Sequence, residues 1–179
     1  MSFRELLKEI RYDLISDKKL NLKFIIHSYI FNSSFRLLLN YRIGKYLTSK
    51  DSKFCRILAM RYKATQLKKR NCQISYKAEI GRGVRFAHPL GIIIGEGVII
   101  KDYVKIWQQV TLGSHGKKGK TPSYPVVENN VKIFAGAKLF GKIIIEENAV
   151  IGANAVVLED VPENCIAVGI PAKIISPKI

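Results

Sequence analysis

The chain has 179 residues, 47% of them hydrophobic, which is enough for the core of one compact domain and a modest appendage. Its longest uncharged stretch, residues 24–35, is shorter than the roughly 20 apolar residues of a membrane span, and no secretory signal is recognisable, so we expect a cytoplasmic protein. Three widely spaced cysteines without a CxxC pair argue against a disulfide framework or a zinc knuckle.

The net charge of +16 is concentrated near the N-terminus, where residues 1–72 hold 17 Lys and Arg against 5 Asp and Glu. Residues 3–16 have the apolar spacing of an amphipathic helix, and Ser2 with Glu5 predicts a capping box. Further helical patterns cover residues 22–31, 35–47 and 54–69. We therefore predict a strongly basic, α-helical N-terminal segment over residues 1–72.

Two interpretations of this basic segment stay open. Its charges are either a solvated helical surface or, with the interleaved Phe and Tyr, a surface that contacts anionic lipid head groups or a lipid-linked acidic glycan. The second interpretation predicts a peripheral position at the inner face of the membrane.

From residue 73 onward the sequence follows a six-residue period. Large apolar residues mark the register at Ile74, Ile80, Phe86, Ile94, Ile100, Ile106, Leu112, Val127, Ile133, Leu139, Ile145, Ile151 and Val157. Four positions after each of these residues except Leu112 comes another apolar residue, which gives 12 further positions, many of them small. Two faults interrupt the period, with two extra residues around 87–91 and nine between Leu112 and Val127.

Such a hexad predicts a short strand with one inward side chain, followed by a corner. Three hexads close one triangular coil, and successive coils stack at about 4.8 Å as parallel strands. The predicted fold is mainly β, a parallel β-helix over residues 73–179, with a projecting loop at residues 114–125. Periodicity does not fix the hand of this helix, and the general rule for parallel connections favours the right-handed form.

In this register, residues 74–175 resemble the hexapeptide-repeat acyltransferases, specifically the serine acetyltransferase branch and its polysaccharide O-acetyltransferase relatives. The motifs that carry the resemblance are IGRGVRFAHPLGIIIGEGVII, WQQVTLG, SHGKKGKTPSYP, IGANAVV and AVGIPAKII. The resemblance implies a left-handed β-helix and a homotrimer that binds acetyl-CoA between neighbouring subunits. It implies no metal cofactor and no nucleic-acid partner.

His88 lies in the first fault and matches the catalytic histidine of the family. A neutral imidazole is a suitable base for removing the proton of an acceptor hydroxyl, and His115 is the second choice. Gln73 replaces the aspartate that orients this histidine in the serine-specific members. Glu96 is a candidate substitute, although an exposed corner glutamate or a backbone carbonyl partner is an equal alternative.

The resemblance assigns the acetyl-CoA groove to Gly113, Ser114, Ala135, Ala153 and Lys173. Backbone N–H groups near Gly113 and Ser114 are candidates for stabilising the oxyanion of the reaction. Lys117, Lys118 and Lys120 in the loop suit the phosphates of coenzyme A or an anionic glycan, unless they form only a solvated tip.

The serine-specific members have charged groups where this chain has Ala87, Ser123 and Tyr124. Tyr124, with Trp107 if it faces the groove, suits the binding of a sugar ring. We therefore predict O-acetylation of a sugar hydroxyl on a surface polysaccharide or its precursor, with serine O-acetylation for cysteine biosynthesis as the alternative.

Alternatives from other classes have less support. A metal-dependent hydratase on the same fold needs three converging histidines, and the repeats hold only His88 and His115. A non-catalytic scaffold or nucleic-acid binder explains the basic segment but gives no role to the HPLG and GIPAK motifs.

Overall fold

The N-terminal part of the chain forms four α-helices in a computed structural model, which describes residues 1–14, 22–116 and 121–176. The helices are α1 (Phe3–Asp13), α2 (Leu22–Phe31), α3 (Ser33–Thr48) and α4 (Lys53–Arg70). The Ser2 and Glu5 capping box is present at the start of α1, and the side chains of Asn32 and Ser52 cap α3 and α4. The four predicted helices are therefore confirmed, although the first ends at Asp13 and residues 15 and 16 of its predicted range lie outside the described residues.

The described residues after α4 form fifteen short strands. They are β1 (Gln73–Ile74), β2 (Glu79–Ile80), β3 (Arg85–Phe86), β4 (Ile93–Ile94), β5 (Ile99–Ile100), β6 (Lys105–Ile106), β7 (Thr111–Gly113), β8 (Val126–Val127), β9 (Lys132–Ile133), β10 (Lys138–Phe140), β11 (Ile144–Ile145), β12 (Val150–Ile151), β13 (Val156–Val157), β14 (Ile166–Gly169) and β15 (Ala172–Ile175). From β4 to β13, each strand pairs in parallel with the strand three places earlier in the chain, so the chain winds as a β-helix.

The strands form three sheets. Sheet I contains β1, β4, β7, β10 and β13, sheet II contains β2, β5, β8 and β11, and sheet III contains β3, β6, β9, β12, β14 and β15. We call the turns that lead from sheet III to sheet I the III–I edge, which comprises residues 87–92, 107–110, 134–137 and 152–155. The I–II edge comprises residues 75–78, 95–98, 114–116, 121–125 and 141–143.

The interior of the β-helix is the predicted apolar stack. All 13 large hexad residues are buried, and the most exposed of them, Ile80, has only 6% of its surface accessible. The smaller apolar positions are also buried, apart from Leu90, which is 57% exposed. Leu90 lies in the first register fault, and the neighbouring Ile92 occupies the interior in its place.

Helices α3 and α4 cover the open edge of the first coil with hydrogen bonds to its backbone. The Tyr41 hydroxyl donates to the carbonyl of Ala78 at 2.6 Å, and the backbone N–H of Phe86 donates to Ser34 Oγ at 2.9 Å. The backbone N–H of Ile74 donates to Gln66 Oε1 at 2.9 Å. Unpaired backbone groups are costly when buried, so these side chains replace the strand partners that the first coil lacks.

The last coil ends differently, because β15 folds back and pairs antiparallel with β14. Within the described ranges, no helix is long and apolar enough to cross a membrane.

Candidate active site

His88 lies on the III–I edge in the expanded turn between β3 and β4, and its side chain is exposed. Backbone hydrogen bonds hold the turn. Among them, Leu90 N–H donates to the His88 carbonyl at 2.8 Å, and Gly91 N–H donates to the Arg70 carbonyl at 3.2 Å. The second bond joins the turn to the end of α4. The extra residues of the register fault thus direct the His88 imidazole outward, and hydrogen bonds fix the backbone of the turn.

A cavity of about 330 Å³ adjoins His88, between the turn and the helices. We call it the basic cavity, and it is lined by Ser33, Arg36, Lys69, Arg70, His88, Pro89 and Leu90. None of the described residues hydrogen-bonds to the His88 ring, which leaves the imidazole available to an acceptor. Sequence analysis did not identify Arg36 as part of this site, because its place in a helical pattern gives no sign of what α3 packs against.

Glu96 does not lie beside His88 within one chain, so its predicted role as the partner that orients His88 stays a prediction. Glu96 lies on the I–II edge, and its carboxylate accepts a hydrogen bond from Lys77 Nζ at 2.9 Å. A hexad carries the chain along one side of the triangle, so a residue eight positions after His88 lies at the next corner. Closeness in sequence therefore does not bring the two side chains together.

The III–I edge continues upward from His88 as a stack of turns. Gln109 N–H donates to the Leu90 carbonyl at 2.8 Å, and Asn154 N–H donates to the Ala135 carbonyl at 2.8 Å. Ala135 is half-buried and Ala153 is exposed. The small side chains predicted for the cofactor groove thus share one edge with His88.

Trp107 lies on this same III–I edge. Its half-buried ring stacks on Phe134, with ring centroids 4.5 Å apart and planes inclined by 23°. It therefore packs along the edge. Lys173 is exposed on β15, opposite Val168 of β14.

The other predicted groups lie on the I–II edge. Gly113 ends β7, Ser114 follows it, and Tyr124 lies near the end of the projecting loop. The Tyr124 ring packs against the turn of the preceding coil, since a Cβ on Gly97 would come within 2.3 Å of it. One chain therefore does not bring Ser114 or Tyr124 to His88.

Only part of the projecting loop belongs to the described residues. Within it, His115 Nε2 lies 3.4 Å from Ser123 Oγ. The predicted phosphate-binding residues Lys117, Lys118 and Lys120 lie outside the described residues. Within the described part, no three His, Cys, Asp or Glu side chains converge as metal ligands.

Comparison with known proteins gives consistent matches. The chain is 50% identical over 99 residues to a serine acetyltransferase of Synechococcus elongatus, covering 55% of this chain and 40% of that protein. It superposes on the soybean serine acetyltransferase apoenzyme with a TM-score of 0.81 and 31% identity, covering 96% of this chain and 69% of that one. A serine acetyltransferase complex with CoA gives a TM-score of 0.79 and 32% identity, covering 97% and 71%.

These similarities establish the class of the molecule: its fold is the left-handed parallel β-helix, as the resemblance implied. The chain belongs to the hexapeptide-repeat acyltransferases and is a homologue of the serine acetyltransferases. The polysaccharide O-acetyltransferase branch, which the sequence analysis favoured, receives no support from them. No family model matches the sequence, and the chain spans about half the length of the curated relatives that it matches.

Proposed function

We propose that this chain is an acetyl-CoA-dependent O-acetyltransferase in which His88 is the general base. The observation that carries the proposal is the position of His88, exposed beside a cavity and at the foot of the edge that holds Ala135 and Ala153. The same edge thus offers a base, a space for the acceptor and a path for the acetyl donor.

The reaction would proceed by direct transfer. The neutral His88 imidazole takes the proton of the acceptor hydroxyl as its oxygen attacks the thioester carbonyl. The tetrahedral oxyanion then collapses, the carbon–sulfur bond breaks, and the imidazolium returns its proton to the departing thiolate. The products are the O-acetyl ester and free coenzyme A.

A homotrimer with active sites between subunits would complete this machinery. His88, Trp107 and the groove alanines lie on the III–I edge, whereas Gly113, Ser114 and Tyr124 lie on the I–II edge. Packing the III–I edge of one copy against the I–II edge of the next would bring these two groups of residues together. Such a contact joins two different surfaces, and three of them would close a cyclic trimer. The backbone N–H groups near Ser114 would then stabilise the oxyanion.

The acceptor has two candidates. Free serine comes first, because the homologues are named serine acetyltransferases. A sugar hydroxyl comes second, supported by Ala87, Ser123 and Tyr124 at positions where the serine-specific members carry charges. The described lining of the basic cavity contains no acidic residue, so the ammonium group of serine finds no counter-charge there.

A cytoplasmic location and a peripheral contact with anionic membrane remain part of the proposal. Helix α4 supports the contact, because Phe54, Ile57, Met60 and Leu67 are exposed on it beside several basic residues. Basic helices with exposed apolar side chains bind anionic lipid surfaces.

Free-thiol release from acetyl-CoA tests the proposal, with serine and a panel of sugars supplied separately as acceptors. His88→Ala should lower kcat by roughly 100- to 10,000-fold, as loss of a general base does. His27→Ala, at an exposed position of α2, is the matched control and should retain activity. If the folded wild type and His88→Ala release thiol at the same rate with every acceptor, the proposal is wrong.

A further inference from the structure

The basic cavity holds three cations next to the proposed base. Arg36 comes from α3, whereas Lys69 and Arg70 end α4. Of the lining residues, none is acidic, and the described ion pairs include none of these three side chains. The cavity is therefore a concentration of positive charge for which the described residues supply no counter-ion.

Arg36 has an incomplete set of hydrogen bonds. Its Nη1 donates to the carbonyl of Ile30 at 2.9 Å, but its Nε is buried and has no hydrogen-bond partner among the described residues. A buried, unsatisfied guanidinium N–H is costly unless an acceptor atom binds there. An anion in the cavity would supply that acceptor.

Basic residues at a helix C-terminus commonly stabilise the helix dipole, and this explains Lys69 and Arg70 in part. It does not explain Arg36, which belongs to another helix and is placed against like charge. Burial lowers the pKa of the Arg70 guanidinium, and the nearby Arg36 lowers it further. The two guanidinium groups repel each other in the empty cavity, so a bound anion would relieve that repulsion as well.

The position of this cluster relative to His88 is fixed. The Arg70 carbonyl accepts the hydrogen bond from Gly91, and the thiol of the buried Cys72 lies 3.5 Å from the Pro89 carbonyl. The same three cations also line a larger cavity of about 830 Å³ between α3 and α4, together with Arg61 and Lys68. An acceptor longer than one sugar ring would extend into this space.

We infer that the basic cavity binds a phosphate group of the acceptor and thereby presents the acceptor's hydroxyl to His88. The second half of the inference rests on the proposed O-acetyltransferase reaction with the sugar hydroxyl, the second of the two candidate acceptors. The first half rests on the cavity alone. Phosphate is the favoured anion because guanidinium groups bind it with two parallel hydrogen bonds, and three cations match a dianion better than a single carboxylate. The predicted acetyl-CoA path over Ala135 and Ala153 lies in later coils, away from this cavity.

Calorimetric titration of the full chain with inorganic phosphate, glucose 1-phosphate and glucose tests the anion site without any reaction. Both phosphate compounds should bind, and glucose should bind more weakly. Arg36→Gln should weaken phosphate binding roughly 10- to 100-fold, as loss of a charged hydrogen bond does. Lys101→Gln removes one exposed charge from another edge and is the matched control.

The transfer assay tests the second half, with serine, glucose, glucose 1-phosphate and phosphatidylinositol in phosphatidylcholine vesicles as acceptors. We expect kcat/KM for a phosphate-bearing acceptor to be at least 10-fold higher than kcat/KM for glucose, which is about the effect of one hydrogen bond to a charged group. Preference for the vesicles would identify a lipid head group as the source of the phosphate. Preference for glucose 1-phosphate would identify a soluble sugar phosphate as the source. Arg36→Gln should raise the KM for that acceptor and not the KM for acetyl-CoA.

Two outcomes separate the inference from the proposed function. Phosphate binding that Arg36→Gln weakens, with no transfer to any acceptor, would support the anion site and contradict the enzyme. Efficient transfer to serine or glucose that is unaffected by Arg36→Gln or Lys69→Gln would support the enzyme and overturn the inference. Circular dichroism checks folding, and Lys69→Gln, at an exposed helix end, serves if Arg36→Gln does not fold.

Discussion

Arg42 of α3 donates to both carboxylate oxygens of Asp13 of α1, with Nε–Oδ2 at 2.9 Å and Nη2–Oδ1 at 3.1 Å. The same guanidinium donates to the carbonyls of Ile80 and Gly81 in the first coil, each at 2.6 Å. Both side chains are buried, and burial raises the pKa of the Asp13 carboxyl although the Arg42 guanidinium acts to lower it. One ion pair thus joins two helices to the β-helix.

Asp13→Asn should therefore destabilise the protein by up to about 3 to 5 kcal/mol, because the buried Arg42 charge keeps only the more exposed Glu9 carboxylate, 3.6 Å from its Nη2. Urea denaturation of the full chain measures this change as a lower midpoint. Asp51→Asn is the control, since Asp51 is fully exposed in its pair with Arg56 and its loss should have no measurable effect. Equal midpoints for the two variants would contradict the assignment.

Gly44→Ala in α3 should destabilise the protein, although alanine normally favours a helix over glycine. A Cβ at Gly44 would lie 2.0 Å from the Tyr76 ring, which packs on the helix from the first coil. We expect a loss of about 1 to 3 kcal/mol from this overpacking. In Tyr76→Ala, where the ring is absent, the same substitution should be neutral or stabilising, and thermal unfolding of the four proteins measures the coupling. A Gly44→Ala protein as stable as wild type would show that the ring moves aside freely.

Coenzyme A should change the fluorescence of Trp107, which is the one tryptophan of the chain. The indole lies on the III–I edge with Ala135 and Ala153, along the proposed acetyl-CoA path. Ala135→Leu adds bulk to that path and should weaken coenzyme A binding by 10-fold or more, roughly the effect of overpacking by 1.4 kcal/mol. Ala64→Leu, on the exposed face of α4, should leave binding unchanged. If the Trp107 fluorescence does not change when a second method shows that the protein is saturated with coenzyme A, then coenzyme A does not bind at this edge.

Mixing two inactive variants should restore activity if the sites lie between copies. His88→Ala disables the III–I edge, and Gly113→Glu places a charge at the proposed oxyanion position on the I–II edge. In a mixed assembly, some sites would combine the intact His88 of one copy with the intact Gly113 of its neighbour. Light scattering should give the mass of three 20.2 kDa chains. A monomer with full activity would contradict the arrangement.

The repeat made most of the fold predictable. Residues such as Ile106 and Ala149 recur at fixed hexad positions because every coil has the same interior to fill, and both are fully buried. The capping box at Ser2 and the αL residue Asn71 after α4 are likewise local signals. Periodicity therefore determined which side chains face inward and which turns share an edge.

The surroundings of His88 were not predictable in the same way. Arg36 is 52 positions before His88 and reaches its cavity only through the packing of α3 on the first coil, which no local pattern describes. Glu96 illustrates the opposite case, because it is close to His88 in sequence but lies at the next corner of the same chain. A repeat specifies the solenoid, whereas the docking of a non-repeating segment depends on particular long-range contacts such as that of Tyr41 with Ala78.

The contacts that α3 and α4 make with the first coil also limit how the chain can associate. A parallel solenoid could in principle extend end to end without limit, since its first and last strands would each accept another strand. Here Ser34 and Gln66 saturate the first strands from one side, and β15 closes the opposite end by pairing back on β14. The helices therefore prevent another copy from pairing with the first coil. A chain shortened to begin at Gln73 should polymerise or precipitate.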